Sequence, residues 1–351
     1  MSVPLPSGRP VNNNENFGAS PLQYCLRACQ EFFFKPTSSH TLAIVRIATG
    51  LMLAYFHFIW ILGAKDFFGP DALISNDLWR SIHQSPEGSD WKWTYLASTT
   101  SLNAAVLHET IAVIAGLTTA LGLFTRTSLL LAWFLTLMTT HRMTGFLFGL
   151  DQIALMLSFY LIFGQSGRVA SLDQRIARKL FEKSDISNGL QQSFRWLSGW
   201  HGNSADPNAL SWKNQTATRL MQIHLCVVYL FGGLGKLRGE MWWDGTAMWY
   251  SAAAYDYQSI DLTWLGRFPV LGAILSHATL FWELAYGAIV WPRWLRPWTL
   301  LTALMVHGGI ALFLGMITFG WMMIIANIAF VPPELTRRIF QGGLRWPKPT
   351  S

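Results

Sequence analysis

Ten ionisable side chains fall inside stretches apolar enough for a bilayer: Arg46, His57, His108, Glu109, Asp151, His224, Lys236, His277, Glu283 and His307. A charge in hydrocarbon is costly, so each is a candidate for proton transfer, ion pairing or ligand contact. Lys236 is the most informative. It closes the apolar run 217–235, in the segment Tyr229-Leu-Phe-Gly-Gly-Leu-Gly-Lys236. A lysine at the rim of a hydrocarbon slab is either a snorkelling anchor or an amine whose proton affinity burial has lowered. In the second case the neutral amine can take a proton from a substrate. Trp242, Trp243 and Arg238 follow it and mark an interface, which on the residues alone favours the anchor.

Gln222, Tyr229 and Lys236 are seven apart, so they lie within about 20° of one line on a helix. Gly232 and Gly233 leave the face beneath the amine bare, for close helix packing or as a slot for a flat ligand. His307 stands among the apolar Leu304, Ile310 and Ala311, the setting of a helix-to-helix hydrogen bond. Glu283 shares a face with Ser276, Thr279 and Tyr286, and is either protonated and structural or paired with a cation. Arg46 and Asp151 read as buried pairing or capping groups. His108 and Glu109 are adjacent and point about 100° apart, so they are not expected to act as one constellation. No HExxH, CxxC or His pair at i, i+4 is present, nor a GxGxxG or Walker loop, and no metal is expected. A Ser-His-Asp set cannot be assembled.

The elements that must position these residues are helices in a membrane. Of 351 residues 51% are hydrophobic and 13% charged, against about 25% charged in soluble domains. Eighteen tryptophans suit interfacial belts. The expected fold is an all-α integral membrane bundle of about eight transmembrane helices, near 41–63, 102–123, 127–143, 146–164, 218–236, 269–291, 298–315 and 317–331. The hydrocarbon core is about 30 Å thick, so the shorter segments need tilt or local thinning. Lys and Arg divide seventeen to seven between the two sets of alternating loops, which predicts N- and C-termini in the cytoplasm and a multi-pass protein of the cell membrane. His57, His108, Glu109, Asp151 and His277 then fall in the outer half, with Lys236 at the outer rim.

Three regions follow: a polar N-terminal segment 1–40 with an interfacial helix near 21–34, a bundle over 41–331, and a basic tail 332–351. Inside the bundle region, the cytoplasmic loop 165–217 carries a basic interfacial helix over 167–183, with Val169, Leu172, Ile176 and Leu180 on one stripe. The stretch 184–216 reads as loop. Cys25, Cys29 and Cys226 make no disulfide framework. The start of the chain lacks the pattern of a cleaved signal peptide. The net charge of +7 is scattered among the spans, which fits anionic membrane lipid as partner and not nucleic acid.

Several motifs, in order, resemble the vitamin K-dependent γ-carboxylase family, whose membrane part is the horizontally transferred transmembrane (HTTM) domain. They are Pro36-Thr-Ser-Ser-His-Thr-Leu-Ala-Ile-Val-Arg46-Ile-Ala-Thr-Gly50, Gly122-Leu-Phe-Thr-Arg126, Phe146-Leu-Phe-Gly-Leu-Asp151 and Ser171-Leu-Asp173, then Tyr229 to Lys236, Trp243-Asp-Gly245 and His307. The resemblance runs from Pro36 to about Pro333. It implies a short form of that family, binding a reduced, vitamin K hydroquinone-like quinone near the outer face. There a lysine deprotonates the hydroquinone, and its epoxidation is coupled to carboxylation of a glutamate. By this resemblance Lys236 is the base, His307 assists, and Tyr229, Gly232, Gly233 and Trp243 contact the quinone. Thr144 stands where the family has a histidine, and His141, three residues away, is its counterpart. The sequence ends at Ser351 without the family's lumenal β-rich region, so propeptide recognition is not expected, and the protein or peptide substrate stays open. Two functional expectations result: a quinone-dependent carboxylase-like enzyme, or a non-catalytic scaffold or transport and secretion component.

Overall fold

The computed structural model describes residues 20–68, 72–84, 92–99, 101–182, 187–202 and 204–340. Among them every regular element is helical. The order is α1 (Pro21–Phe34), α2 (His40–Leu62), α3 (Ala64–Phe68), α4 (Asn76–His83), α5 (Leu102–Leu121), α6 (Thr125–Arg142), α7 (Gly149–Leu161) and α8 (Leu172–Glu182). Then come α9 (Asn188–Ser198), α10 (Trp212–Lys236), α11 (Glu240–Trp243), α12 (Ala247–Ala253), α13 (Pro269–Ile289), α14 (Arg296–Phe313), α15 (Ile317–Asn327) and α16 (Pro333–Phe340).

A helix stands at each of the eight expected span positions. By length and hydropathy, α2, α5 and α10 can cross a membrane; a fourth crossing results if α15 and its 3-10 extension are joined with α16 across a 109° bend. The remaining four expected spans fall short on the same measure. For α7 the reason is plain: 13 residues rise only about 20 Å. The chain is a membrane protein.

The core lies where α2, α7, α10, α13 and α15 meet, around Leu53, Leu157, Leu225, Tyr229, Tyr286 and Met322. The backbones of α2 and α5 approach closely. A Cβ on Gly50 would stand 2.5 Å from the Ala120 nitrogen, and one on Gly116 2.7 Å from the Ala54 nitrogen. Glycine at both positions lets the backbones touch, which is how helices associate where no hydrophobic gradient drives them.

Three of the resembling motifs meet at one end of this pair. Gly122 takes a left-handed φ of 66° at the end of α5, and its carbonyl accepts from the Asp173 amide at 2.9 Å. The Asp173 carboxylate accepts from the amides of Phe124 and Thr125, both at 2.8 Å, and from the Thr125 hydroxyl at 2.6 Å. It thus satisfies the open donors that begin α6. Burial pushes this carboxyl up, against the hydrogen bonds that pull it down. Arg46 donates to the Ala170 carbonyl at 2.7 Å. Arg46 and Asp151, whose Oδ2 accepts the Phe148 amide at 2.6 Å, hold backbone as expected.

The cytoplasmic-loop reading needs two corrections. Within 184–216, read as loop, Asn188–Ser198 is a helix, capped by the Ser187 hydroxyl and ended by Gly199 at φ 71°. It covers the apolar stripe of α8: Ala177, Leu180, Phe194 and Trp200 form a small core of their own. That stripe therefore faces protein. The short amphipathic helix is partnered by a second one whose own pattern is brief. The expected helix α1 forms, with Ser20 and Gln23 capping each other and Pro21 at its start, and it packs on α10 through Gln215, Thr216 and Arg219. Residues 1–19, Lys183 and the tail from 341 onward lie outside the described residues. The three cysteines are free.

Candidate functional site

The line drawn along α10 is used at each of its positions. Gln222 donates to the Ala329 carbonyl at 2.8 Å, Tyr229 bonds His307 at 2.7 Å, and Lys236 bonds Glu283 at 2.7 Å. One face of α10 thus delivers three polar contacts to α13, α14 and the end of α15, because a spacing of seven keeps all three on the seam.

Lys236 is an ion pair. Its Nζ meets Glu283 Oε2, with 26% of the lysine side chain and 10% of the glutamate exposed. The amine also lies 5.4 Å from the centre of the Trp242 ring. Gly232 lies against the pair: a Cβ there would sit 3.4 Å from Oε2 and 3.9 Å from Nζ, in ordinary contact. Gly235 has nothing within 4 Å of its Cβ position. The bare face of Gly233 is different, since a Cβ there would stand 2.8 Å from Leu284 Cδ2; it is filled by helix packing. Trp243 points elsewhere, giving its indole N–H to the Leu237 carbonyl at 2.8 Å, and it is 59% exposed.

Below the pair lies a buried chain of four residues. Asn327 Nδ2 donates to the Met323 carbonyl at 2.8 Å, which fixes the orientation of its amide. Its Oδ1 accepts from the Tyr286 hydroxyl at 2.7 Å, and Nδ2 donates to the Tyr229 hydroxyl at 2.9 Å. The Tyr229 proton is then free only for His307 Nε2. A neutral His307 accepts there and carries its proton on Nδ1. That Nδ1 is buried and has no hydrogen-bond partner among the described residues. Tyr229 and Tyr286 stack with ring centres 3.9 Å apart, and Phe319 stands edge-on to the His307 ring.

His141 is not brought to either group. Its Nδ1 bonds the Trp93 carbonyl at 2.8 Å at the far end of α6, while Thr144 bonds the His141 carbonyl at 3.5 Å. Asn327 and Tyr286 were missed as members of the chain around His307. Asn327, buried in an apolar helix, was the available signal.

A second polar cluster overturns the expectation that His108 and Glu109 cannot act together. Glu109 Oε2 lies 2.5 Å from His57 Nδ1, and Oε1 accepts from Thr139 at 2.8 Å. Thr139 also bonds His108 Nε2 at 2.9 Å, and His108 Nε2 is 3.6 Å from Glu109 Oε1. Side chains 100° apart on α5 converge because α2 and α6 flank it and supply the bridging groups. No group of three or more His, Cys, Asp or Glu among the described residues has the geometry to hold a metal.

Residues 204–334 match the family model of the HTTM domain. The match contains the Lys236–Glu283 pair and the whole Tyr286–Asn327–Tyr229–His307 chain, while the His57–Glu109 cluster falls outside it. No curated protein and no solved structure matches the chain.

Proposed function

We propose that this is a multi-pass protein of the cell membrane, with about eight spans and cytoplasmic termini, and that the Lys236–Glu283 couple is the proton-transfer centre of a quinone-dependent, carboxylase-like enzyme. The observation that carries the reading is the pair itself: an amine and a carboxylate 2.7 Å apart between membrane helices, with the amine still a quarter exposed. In water the ion pair would be the only form. In an apolar bundle the charged couple loses its solvation, and moving a proton from Nζ to Oε2 leaves a neutral amine beside a neutral acid. The neutral amine is a base, and Glu283 holds the proton that made it one.

The residues fit a flat, oxygen-bearing ring. Nζ has donors beyond the one given to Glu283, Trp242 flanks it with a ring face, and Gly232 puts no side chain over the couple. His307 Nδ1 offers a buried N–H in want of an acceptor. When bound, a reduced quinone would supply the acidic hydroxyl and the reducing electrons. Lys236 Nζ would take up the proton, His307 would orient an oxygen, and the surrounding apolar helices would exclude water.

The test is hydroquinone oxidation by the purified protein in lipid nanodiscs, with native mass spectrometry for co-purifying quinone. Lys236→Ala and Glu283→Gln should each lower turnover by about 10²–10⁴. A Lys236→Ala protein that keeps hydroquinone epoxidation overturns the assignment. One observation favours a second reading, a non-catalytic scaffold or transport component: the amine and the carboxylate already neutralise each other across the helix seam. Stability loss in both variants, with no quinone and no turnover in the parent, would support it.

A further inference from the structure

The cluster between α2, α5 and α6 has a donor order that can be read atom by atom. The Thr136 hydroxyl donates to the Ala132 carbonyl at 2.7 Å, so its oxygen can only accept from His57 Nε2 at 2.9 Å. His57 Nε2 therefore carries hydrogen. One further proton is then shared between His57 Nδ1 and Glu109 Oε2 at 2.5 Å. On the other side the Thr139 hydroxyl donates to Glu109 Oε1, so His108 Nε2 donates to Thr139. His108 Nδ1 is left to accept from the Tyr95 hydroxyl at 2.5 Å.

Every bond on that side points one way, from Tyr95 to His108 to Thr139 to Glu109. His57 and Glu109 are fully buried, His108 nearly so, and Tyr95 is half-buried on a 3-10 turn outside the helices. A polar contact made only to join helices would need one serine or asparagine, at far less cost than two histidines and a glutamate. The titratable groups facing Glu109 are His57 from α2, His108 from α5 and Tyr95 from the turn, and α6 contributes only Thr136 and Thr139.

We propose that the His57–Glu109 pair is a buried proton-uptake site, filled from the loop surface along Tyr95, His108 and Thr139. In one passage the Tyr95 proton moves to His108 Nδ1, the Nε2 proton moves to Thr139, and the Thr139 proton moves to Glu109 Oε1. Water returns a proton to Tyr95. The net change is one proton from solvent added to the pair, which goes from neutral to one positive charge, and every donor in the chain reverses. The site is independent of the Lys236 couple and lies outside the HTTM-matched residues.

The experiment is infrared difference spectroscopy of the full chain in nanodiscs, during acid titration and after a rapid acid jump. A buried carboxylic acid C=O band should grow on acidification, be lost in Glu109→Gln, and shift in frequency in Glu109→Asp. Tyr95→Phe and Thr139→Val should each slow its rise more than about tenfold, whereas Thr139→Ser keeps the parent rate. A band unaffected by both Glu109 substitutions overturns the site. A rise unchanged in both Tyr95→Phe and Thr139→Val overturns the path, and those two variants carry the test if Glu109→Gln does not fold.

Discussion

The Lys236–Glu283 couple makes a prediction about stability that needs no knowledge of substrate. At 2.7 Å, with an effective dielectric constant of about 20, the Coulomb term is about 6 kcal/mol. Desolvation opposes it. Breaking a buried pair costs about 3–5 kcal/mol, whereas exposed pairs are worth about 0–1 kcal/mol. With 26% of the lysine and 10% of the glutamate side chain exposed, the pair lies between these limits, and we expect a coupling of about 2 kcal/mol. The perturbation is a double-mutant cycle of Lys236→Met and Glu283→Gln, read by reversible denaturant unfolding in mixed micelles. The double variant should be more stable than the sum of the two single losses predicts, since each single variant strands one charge between helices. The coupling should also change little from low to high salt, because the pair is mostly out of solvent. A coupling below about 0.5 kcal/mol, or one that salt abolishes, refutes the reasoning and returns Lys236 to a solvated anchor.

Three further outcomes follow from the packing. Gly50→Ala drives a methyl group to 2.5 Å from the Ala120 backbone nitrogen and should cost about 3 kcal/mol or more, measured by the same unfolding assay; Gly235→Ala, with open space around it, should be nearly neutral. Tyr229→Phe strands His307 Nε2 and an Asn327 donor in the core and should cost about 1–3 kcal/mol, visible as a lowered melting temperature. Asp173→Ala leaves the Phe124 and Thr125 amides and the Thr125 hydroxyl without their acceptor. It should destabilise by about 1–2 kcal/mol and speed amide hydrogen exchange at the start of α6 before the rest of the bundle.

Much of this protein is legible from local sequence. The helix positions follow from apolar runs and their punctuation: α2 was placed at 41–63 and runs His40–Leu62, and α5 at 102–123 and runs Leu102–Leu121. Hydropathy is a property of each segment alone, so it needs no partner to be read. The seven-residue line Gln222, Tyr229, Lys236 was equally legible, because helical periodicity puts those side chains on one face before anything packs there. The helix Asn188–Ser198 escaped because 11 residues of mixed character read as loop until α8 offers an apolar stripe to cover.

What periodicity cannot supply is the partner across the seam. Lys236 was an anchor or a base on its own residues, and the alternatives stayed open because the carboxylate that pairs with it is 47 positions away, on α13. The fold makes it an ion pair, with Trp242 rather than Trp243 at its side. His108 and Glu109 diverge on their own helix and were set apart for that reason. Only α2 and α6, by bringing His57 and Thr139 to Glu109, turn that divergence into a network. A helix determines which way its own side chains point; which atoms they meet is decided by the other helices, and proton affinity and chemistry belong to the meeting.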